Sequence, residues 1–162
     1  MRNKIFLFSD GIQSGKTSTL IDWIKGKNNV CGVLTPDVAE IRMLYDIEQN
    51  KYYPFETDVN EIEQVEVIGR FIFLKSAFEK AIEILNHAIT KKPDWLIIDE
   101  IGKLELENKG LEPNLSSVLN DFSIHTPETK VIIVVRDFLL EKAIEKYGFK
   151  DAEILNASYF KK

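Results

Sequence analysis

A single cysteine, Cys31, stands in the 162-residue chain, so neither a disulfide framework nor a cysteine metal site can be built within it. It lies inside the apolar run Val30-Cys31-Gly32-Val33-Leu34, where a buried core thiol and a reducing compartment are expected. Histidine is nearly as scarce. His87 falls in a helical pattern and His125 in a polar turn, neither with another histidine or cysteine at metal-ligand spacing, so both are expected to be structural. Basic charge is in deficit: 21 Lys and Arg against 26 Asp and Glu give a net charge of -5, which excludes a general nucleic-acid surface but not a local basic site. There are only four arginines, Arg2, Arg42, Arg70 and Arg136. Long apolar runs are missing at the amino terminus too, where Met1-Arg2-Asn3-Lys4 leads into Ile5-Phe6-Leu7-Phe8, too short for a signal peptide or a membrane span. A cytoplasmic protein without a membrane partner is expected.

What is present is an ordinary globular balance, 44% hydrophobic and 29% charged, in a length that fits one domain over residues 1–162. Lys4 to Phe8 has the pattern of a buried strand, and Leu20, Ile21 and Ile24 recur at helical spacing after it. Val30 to Leu34 is a second strand. Ile41 to Ile47 and Tyr52 to Phe55, split by Glu48-Gln49-Asn50-Lys51, predict a hairpin inserted at the sheet edge, a surface open to a protein partner. Five carboxylates between Glu56 and Glu66 predict a solvated loop or outer strand face. Ser76-Ala77-Phe78-Glu79 has capping-box spacing, with a helix carrying Phe78, Ala81, Ile82, Leu85, Ala88 and Ile89 after it.

Trp95-Leu96-Ile97-Ile98 predicts a central strand ending at Asp99-Glu100. Leu115, Val118, Leu119 and Phe122 mark a helix, Lys130 to Val135 another apolar strand, and Asp137 a cap for a helix closed by Gly148. Ala152 to Leu155 makes a last short strand. Strands alternating with helices at these spacings predict an α/β fold, a mostly parallel sheet with helices on both faces. Trp23 and Trp95 are expected to be packing residues, Trp23 with a possible place near a bound base.

Between the first strand and first helix lies Ser9-Asp10-Gly11-Ile12-Gln13-Ser14-Gly15-Lys16-Thr17-Ser18. A Gly-Lys-Thr in that position suits a phosphate-binding loop, whose amides wrap phosphates while the helix amino terminus adds partial positive charge. Residues Gly11 to Ser18 are the candidate nucleotide contacts, with Lys16 bridging the β- and γ-phosphates and the Thr17 hydroxyl on Mg²⁺. The strict pattern wants glycine where Asp10 stands, six residues before the lysine. Aspartate there must fold its backbone into the turn and point its charge away from the phosphates.

Such a loop needs a carboxylate at the end of another strand. Asp99 fits as the second metal-side residue, and Glu100 has the reach to orient and deprotonate an attacking water. Lys103, after the flexible Gly102, is a candidate to swing toward the γ-phosphate. Arg136 follows an apolar strand and Arg70 an Ile-Gly pair, which makes both candidates for stabilising transferring phosphate charge or for surface ion pairs.

Gly15-Lys16-Thr17, Gly32-Val33-Leu34-Thr35-Pro36-Asp37-Val38, Ile68-Gly69-Arg70-Phe71 and above all Asp99-Glu100-Ile101-Gly102-Lys103-Leu104-Glu105 together make the chain resemble the small P-loop nucleoside-triphosphatase family first described from thermophiles. The resemblance runs from about Lys4 to Leu155. It implies a RecA-like sheet and slow Mg²⁺-dependent hydrolysis of ATP, GTP and other triphosphates. It assigns phosphate binding to Gly15, Lys16 and Thr17, the metal-side carboxylate to Asp99, and water activation to Glu100. The family's loop usually opens with glycine rather than Asp10, and often has another where Gln13 stands. Two alternatives stay open: a nucleotide-dependent adaptor, similar to the GTP-binding adaptors of molybdenum-cofactor synthesis, and a small-molecule kinase. The kinase ranks last because no segment clusters arginines into a lid.

Overall fold

The computed structural model describes residues 3–11, 15–58 and 65–161. Strand β1 (Ile5–Phe8) leads through the phosphate-loop segment into helix α1 (Lys16–Ile24), and β2 (Val30–Leu34) follows. Three strands then run antiparallel at the edge: β3 (Asp37–Val38), β4 (Ile41–Asp46) and β5 (Lys51–Pro54). The short strands β6 (Glu56–Thr57), β7 (Val65–Ile68) and β8 (Phe71–Leu74) form a separate antiparallel sheet. Helix α2 (Lys75–Lys91), strand β9 (Trp95–Ile101), the one-turn α3 (Lys103–Leu106), helix α4 (Asn114–His125), strand β10 (Lys130–Val135), helix α5 (Leu140–Tyr147) and strand β11 (Glu153–Leu155) complete the chain, with 3₁₀ turns at Asp137–Leu139 and Ala157–Lys161.

The main sheet has the order β11-β1-β10-β9-β2-β4-β3, with β5 on β4. Its first five strands are parallel and the hairpin strands antiparallel, as the sequence pattern predicts. Alternate side chains of each strand enter opposite layers. Leu7, Cys31, Val33, Leu96, Ile98, Val131 and Ile133 meet α2, α4 and α5 on one face. Phe6, Phe8, Val30, Leu34, Ile97, Ile132 and Val134 meet Leu20 of α1 and Phe160 of the last turn on the other. Two faces covered by helices explain why the central strands are continuous apolar runs.

The second face is aromatic. Trp23 stands edge-on to Trp95 with ring centroids 5.0 Å apart and edge-on to Phe160 at 5.4 Å, so its indole is a packing group between α1, β9 and the last turn. Gly32 sets the spacing of β2 on β9: its φ is +127°, and a Cβ there would lie 2.0 Å from the Ile97 carbonyl oxygen. Only glycine lets the two backbones approach that closely.

Two local expectations are corrected. Helix α2 begins at Lys75 with Leu74 at its N-cap and no side-chain cap bond there, so Ser76 and Glu79 do not form a capping box. The aromatic strand β8 runs directly into the helix, and its packing on Phe78 fixes the entry instead. Asp137 does not cap α5. It opens a 3₁₀ turn, its carboxylate accepting the Phe138 amide at 2.8 Å, and Leu139 is the N-cap residue. Part of the acidic Glu56–Glu66 stretch is strand, in β6 and β7, while Glu61 and Glu63 lie outside the described residues. No described helix is long and apolar enough to cross a membrane.

Candidate functional site

The site is assembled where β1, β2, β9 and β10 end, at the carboxyl edge of the parallel strands. Gly15 precedes α1 in the left-handed region with φ +77°, and its carbonyl accepts the Thr19 amide at 2.9 Å, so helix hydrogen bonding starts immediately after the loop. The Lys16 ammonium donates to the carbonyls of Asp10 and Gly11, each at 3.2 Å, lying across its own loop. Asp10 turns its carboxylate onto the following amide, Gly11 N–H, at 2.9 Å. Its charge is thus held beside the backbone turn. Ser18 is exposed in the first turn of α1, while Ile12, Gln13 and Ser14 lie outside the described residues.

Thr17 and Asp99 are 82 positions apart in sequence, yet the Thr17 hydroxyl donates to Asp99 Oδ2 at 2.7 Å. The same oxygen accepts the Thr35 amide at 3.1 Å, so Asp99, only 3% exposed, is tied both to the loop helix and to the end of β2. A buried carboxylate is retained because these bonds satisfy it. The pair is a hard-oxygen donor set of the kind Mg²⁺ uses, which takes one or two protein ligands and fills its octahedron with phosphate and water oxygens. Among the described residues no group of three or more His, Cys, Asp or Glu could hold a metal by protein ligands alone.

Strand β9, expected to end at Asp99-Glu100, continues through Ile101. Its register against β10 shifts here: Val134 pairs with Asp99 and Val135 with Ile101, leaving Glu100 bulged out of the ladder. A bulge re-aims the side chain it carries. Glu100 thereby points to the rim, where its Oε1 lies 3.5 Å from Arg136 Nε. Burial, and next the Asp99 carboxylate, push the Glu100 carboxyl up to about 7, while Arg136 and Arg42 pull it down. A carboxyl near neutrality can both accept and release a proton.

Behind Glu100 the segment 102–111 is fixed by Glu105, whose two carboxylate oxygens accept the Gly102 amide at 2.9 Å and the Leu111 amide at 3.0 Å. Burial raises its pKa, and those amide bonds oppose the rise. The clamp sets Lys103, exposed at the start of α3, on the rim with Glu100 and Arg136. A cavity of about 250 Å³ opens here, with Asp99, Glu100, Lys103 and Arg136 at its polar end. Arg42 and Arg70 line it too. Sequence reasoning set Arg42 aside as a hairpin residue and missed that β4 carries it onto this rim. It also missed Glu105, although the family-like Asp99-Glu100-Ile101-Gly102-Lys103-Leu104-Glu105 string contains it. His87 and His125 are exposed on helices and away from the rim.

A protein-family model described as NTPase matches residues 6–157. The fold is similar to that of THEP1 from the hyperthermophile Aquifex aeolicus, with a TM-score of 0.71 over 95% of this chain and 89% of that one, at 20% sequence identity. A CTP synthase of Methanococcus maripaludis is 32% identical over 91 residues, which are 56% of this chain and 16% of that enzyme, so the chain spans a small part of that relative's length. With the family model covering nearly the whole chain and the mostly parallel, helix-covered sheet shared with THEP1, the chain belongs to the NTPase family of small P-loop proteins.

Proposed function

We propose that the chain hydrolyses the terminal phosphate of nucleoside triphosphates, ATP and GTP among them, to give the diphosphate and inorganic phosphate. The observation that carries this reading is the 2.7 Å contact between Thr17 and Asp99 with Glu100 bulged beside it, since it joins a phosphate-loop hydroxyl to a strand-end carboxylate and a rim-facing candidate base. The loop from Gly11 to Ser18 would receive the phosphates, with Lys16 leaving its carbonyl partners to meet them. Exchanging two carbonyl contacts for phosphate oxygens strengthens its interactions, because phosphate carries full charge.

Thr17 and Asp99 would hold Mg²⁺, which when bound neutralises charge on the β- and γ-phosphates. Glu100 accepts the proton of the attacking water as its oxygen bonds to the γ-phosphorus and the bond to the diphosphate breaks. Arg136 acts through Glu100, holding that carboxylate on the rim and favouring its ionised form. Lys103 meets developing charge on the terminal phosphate from the other side. The family resemblance supports slow turnover and breadth in the base.

Phosphate release from ATP, GTP and CTP with Mg²⁺ tests the assignment in the unmodified protein, Lys16→Ala and Glu100→Gln. Glu100→Gln is expected to abolish release while nucleotide binding survives, and Lys16→Ala to weaken binding. Release that persists in Glu100→Gln would remove the base from the scheme.

A further inference from the structure

The cavity beside Glu100 reaches well beyond what a triphosphate tail needs. Its inner walls are Phe55, Phe73, Phe78, Ala81, Leu104 and Leu111, all in the core layer on the α2 face of the sheet. The phosphate loop leads into α1 on the opposite face, and among the described residues the two compartments meet at the strand ends around Asp99. Three of the phenylalanines pack on one another as an aromatic wall: Phe55 and Phe73 have ring centroids 4.7 Å apart, and Phe78 stands edge-on to Phe55 at 5.1 Å. Such rings present faces and edges to another ring. At about 250 Å³ the space approaches the lower end of ordinary small-molecule sites, roughly 300 Å³.

The polar end selects charge. Arg42, Arg70, Lys103 and Arg136 line it together with Asp99 and Glu100. Arg136 is committed to Glu100, and Arg42 to Asp37 at 3.3 Å. Arg70, in the turn between β7 and β8, has no carboxylate partner among the described residues, and its guanidinium lies 5.0 Å from the Phe71 ring centroid. With Lys103 assigned to the terminal phosphate, Arg70 is the planar cation left among the described residues that line the cavity beside this aromatic wall. A guanidinium offers paired, parallel N–H donors that match a carboxylate.

We propose that this cavity binds a small ring-bearing monocarboxylate as a second ligand, its ring against the wall of Phe55, Phe73 and Phe78 and its carboxylate on Arg70. The place of that ligand next to the terminal phosphate rests on the function proposed above, whereas its binding does not. Glu100 and Asp99 at the same mouth disfavour a dianion, and the arginines disfavour a cation.

Naphthoate, its uncharged analogue naphthamide and the cation naphthylmethylamine are the probes, titrated calorimetrically into nucleotide-free protein. Naphthoate is expected to bind one-to-one and at least about tenfold more tightly than the amide, the factor that one charge-assisted contact supplies, with the amine binding more weakly still. Arg70→Gln should remove that preference and leave the melting temperature in place. Ala81→Phe should fill the cavity and abolish binding of all three; if it does not fold, Arg70→Gln carries the test. Equal affinity for carboxylate and amide, an unchanged preference in Arg70→Gln, or no saturable binding up to about 5 mM would overturn the proposal. Phosphate release measured on the same preparations keeps the two readings apart. Release without naphthoate binding refutes this site alone, and binding without release refutes the hydrolase alone.

Discussion

Replacing Arg136 with glutamine removes a charge from Glu100 while keeping a polar side chain of similar reach. The Nε to Oε1 separation is 3.5 Å, with 37% of the arginine and 24% of the glutamate side chain exposed. Because both side chains reach solvent, the bulk-water value gives the lower bound of the Coulomb energy: 332/(80 × 3.5) is about 1.2 kcal/mol, or roughly 0.9 of a pH unit in the carboxyl pKa as the least shift expected. Arg136 favours the charged carboxylate, so its loss moves the Glu100 pKa upward from about 7. A base works only when deprotonated. The rise of kcat/KM with pH, which reports groups of the free enzyme, should therefore shift from an inflection near 7 to one near about 8.

The consequence is specific in pH. At pH 7 about half of the unmodified Glu100 carries its charge against roughly one in nine in the variant, so kcat/KM falls about fourfold. At pH 9 both are largely ionised and the difference nearly closes. Phosphate release at low ATP, constant ionic strength and saturating Mg²⁺ between pH 6 and 9 measures it. A fall by one factor at every pH would refute the reasoning and place Arg136 directly on the transferring phosphate. An unchanged profile would mean that the ion pair does not act on the base.

Gly32→Ala should destabilise the protein by about 3 kcal/mol or more, since the new Cβ meets the Ile97 carbonyl and the backbone keeps a positive φ. For a chain of this size that is a fall of roughly 6–12 °C in Tm by calorimetry, and a fall under about 2 °C would show that β2 and β9 separate easily. Burial pushes the Cys31 thiol up from 9.0 to about 11, so the folded protein holds this proton after the unfolded chain has lost it. Stability from this group is intact below pH 9 and falls by about 2–3 kcal/mol as pH rises to about 11, a decline that Cys31→Ala should lack in paired urea titrations. Asp10→Gly removes a negative charge beside the phosphates. At a separation of order 4 Å in water that is about 1 kcal/mol, so ATP should bind about fivefold more tightly, whereas weaker binding would show that the Asp10 bond to the Gly11 amide shapes the loop.

Fold and site were legible to different depths, and burial explains the difference. Strands β1, β2, β9 and β10 are covered on both faces, so their sequences are short apolar runs that no exposed element imitates. The sheet order follows from them and from the helices between. β6 is only Glu56-Thr57, and β7 and β8 have four residues each, too short a run for periodicity to register, and the acidic residues around β6 and β7 fit a loop as well as an outer strand face. Helix starts were misplaced for the same reason at Ser76 and Asp137. A local polar spacing is weak against the tertiary packing of Phe73 on Phe78 or the 3₁₀ turn after β10.

Within the site, groups that act through neighbours in sequence were easiest to name. Gly15, Lys16 and Thr17 are one turn, and Asp99 and Glu100 are adjacent residues, so a strand followed by a loop suffices to suggest their meeting. Arg42 and Arg70 have no such signature. Each sits in an antiparallel hairpin, and which hairpin face meets the cavity depends on pairings such as Asp37 with Arg42 and Ile68 with Phe71. One residue of slip in either pairing would turn the guanidinium away from the rim. The kinase-like requirement for clustered arginines was weighed along the chain, where they are about thirty or more positions apart, yet the sheet edge gathers Arg42, Arg70 and Arg136 around one cavity. Sequence distance says little about cation density at a site built from hairpins, and the number of arginines excludes less than their scatter suggests.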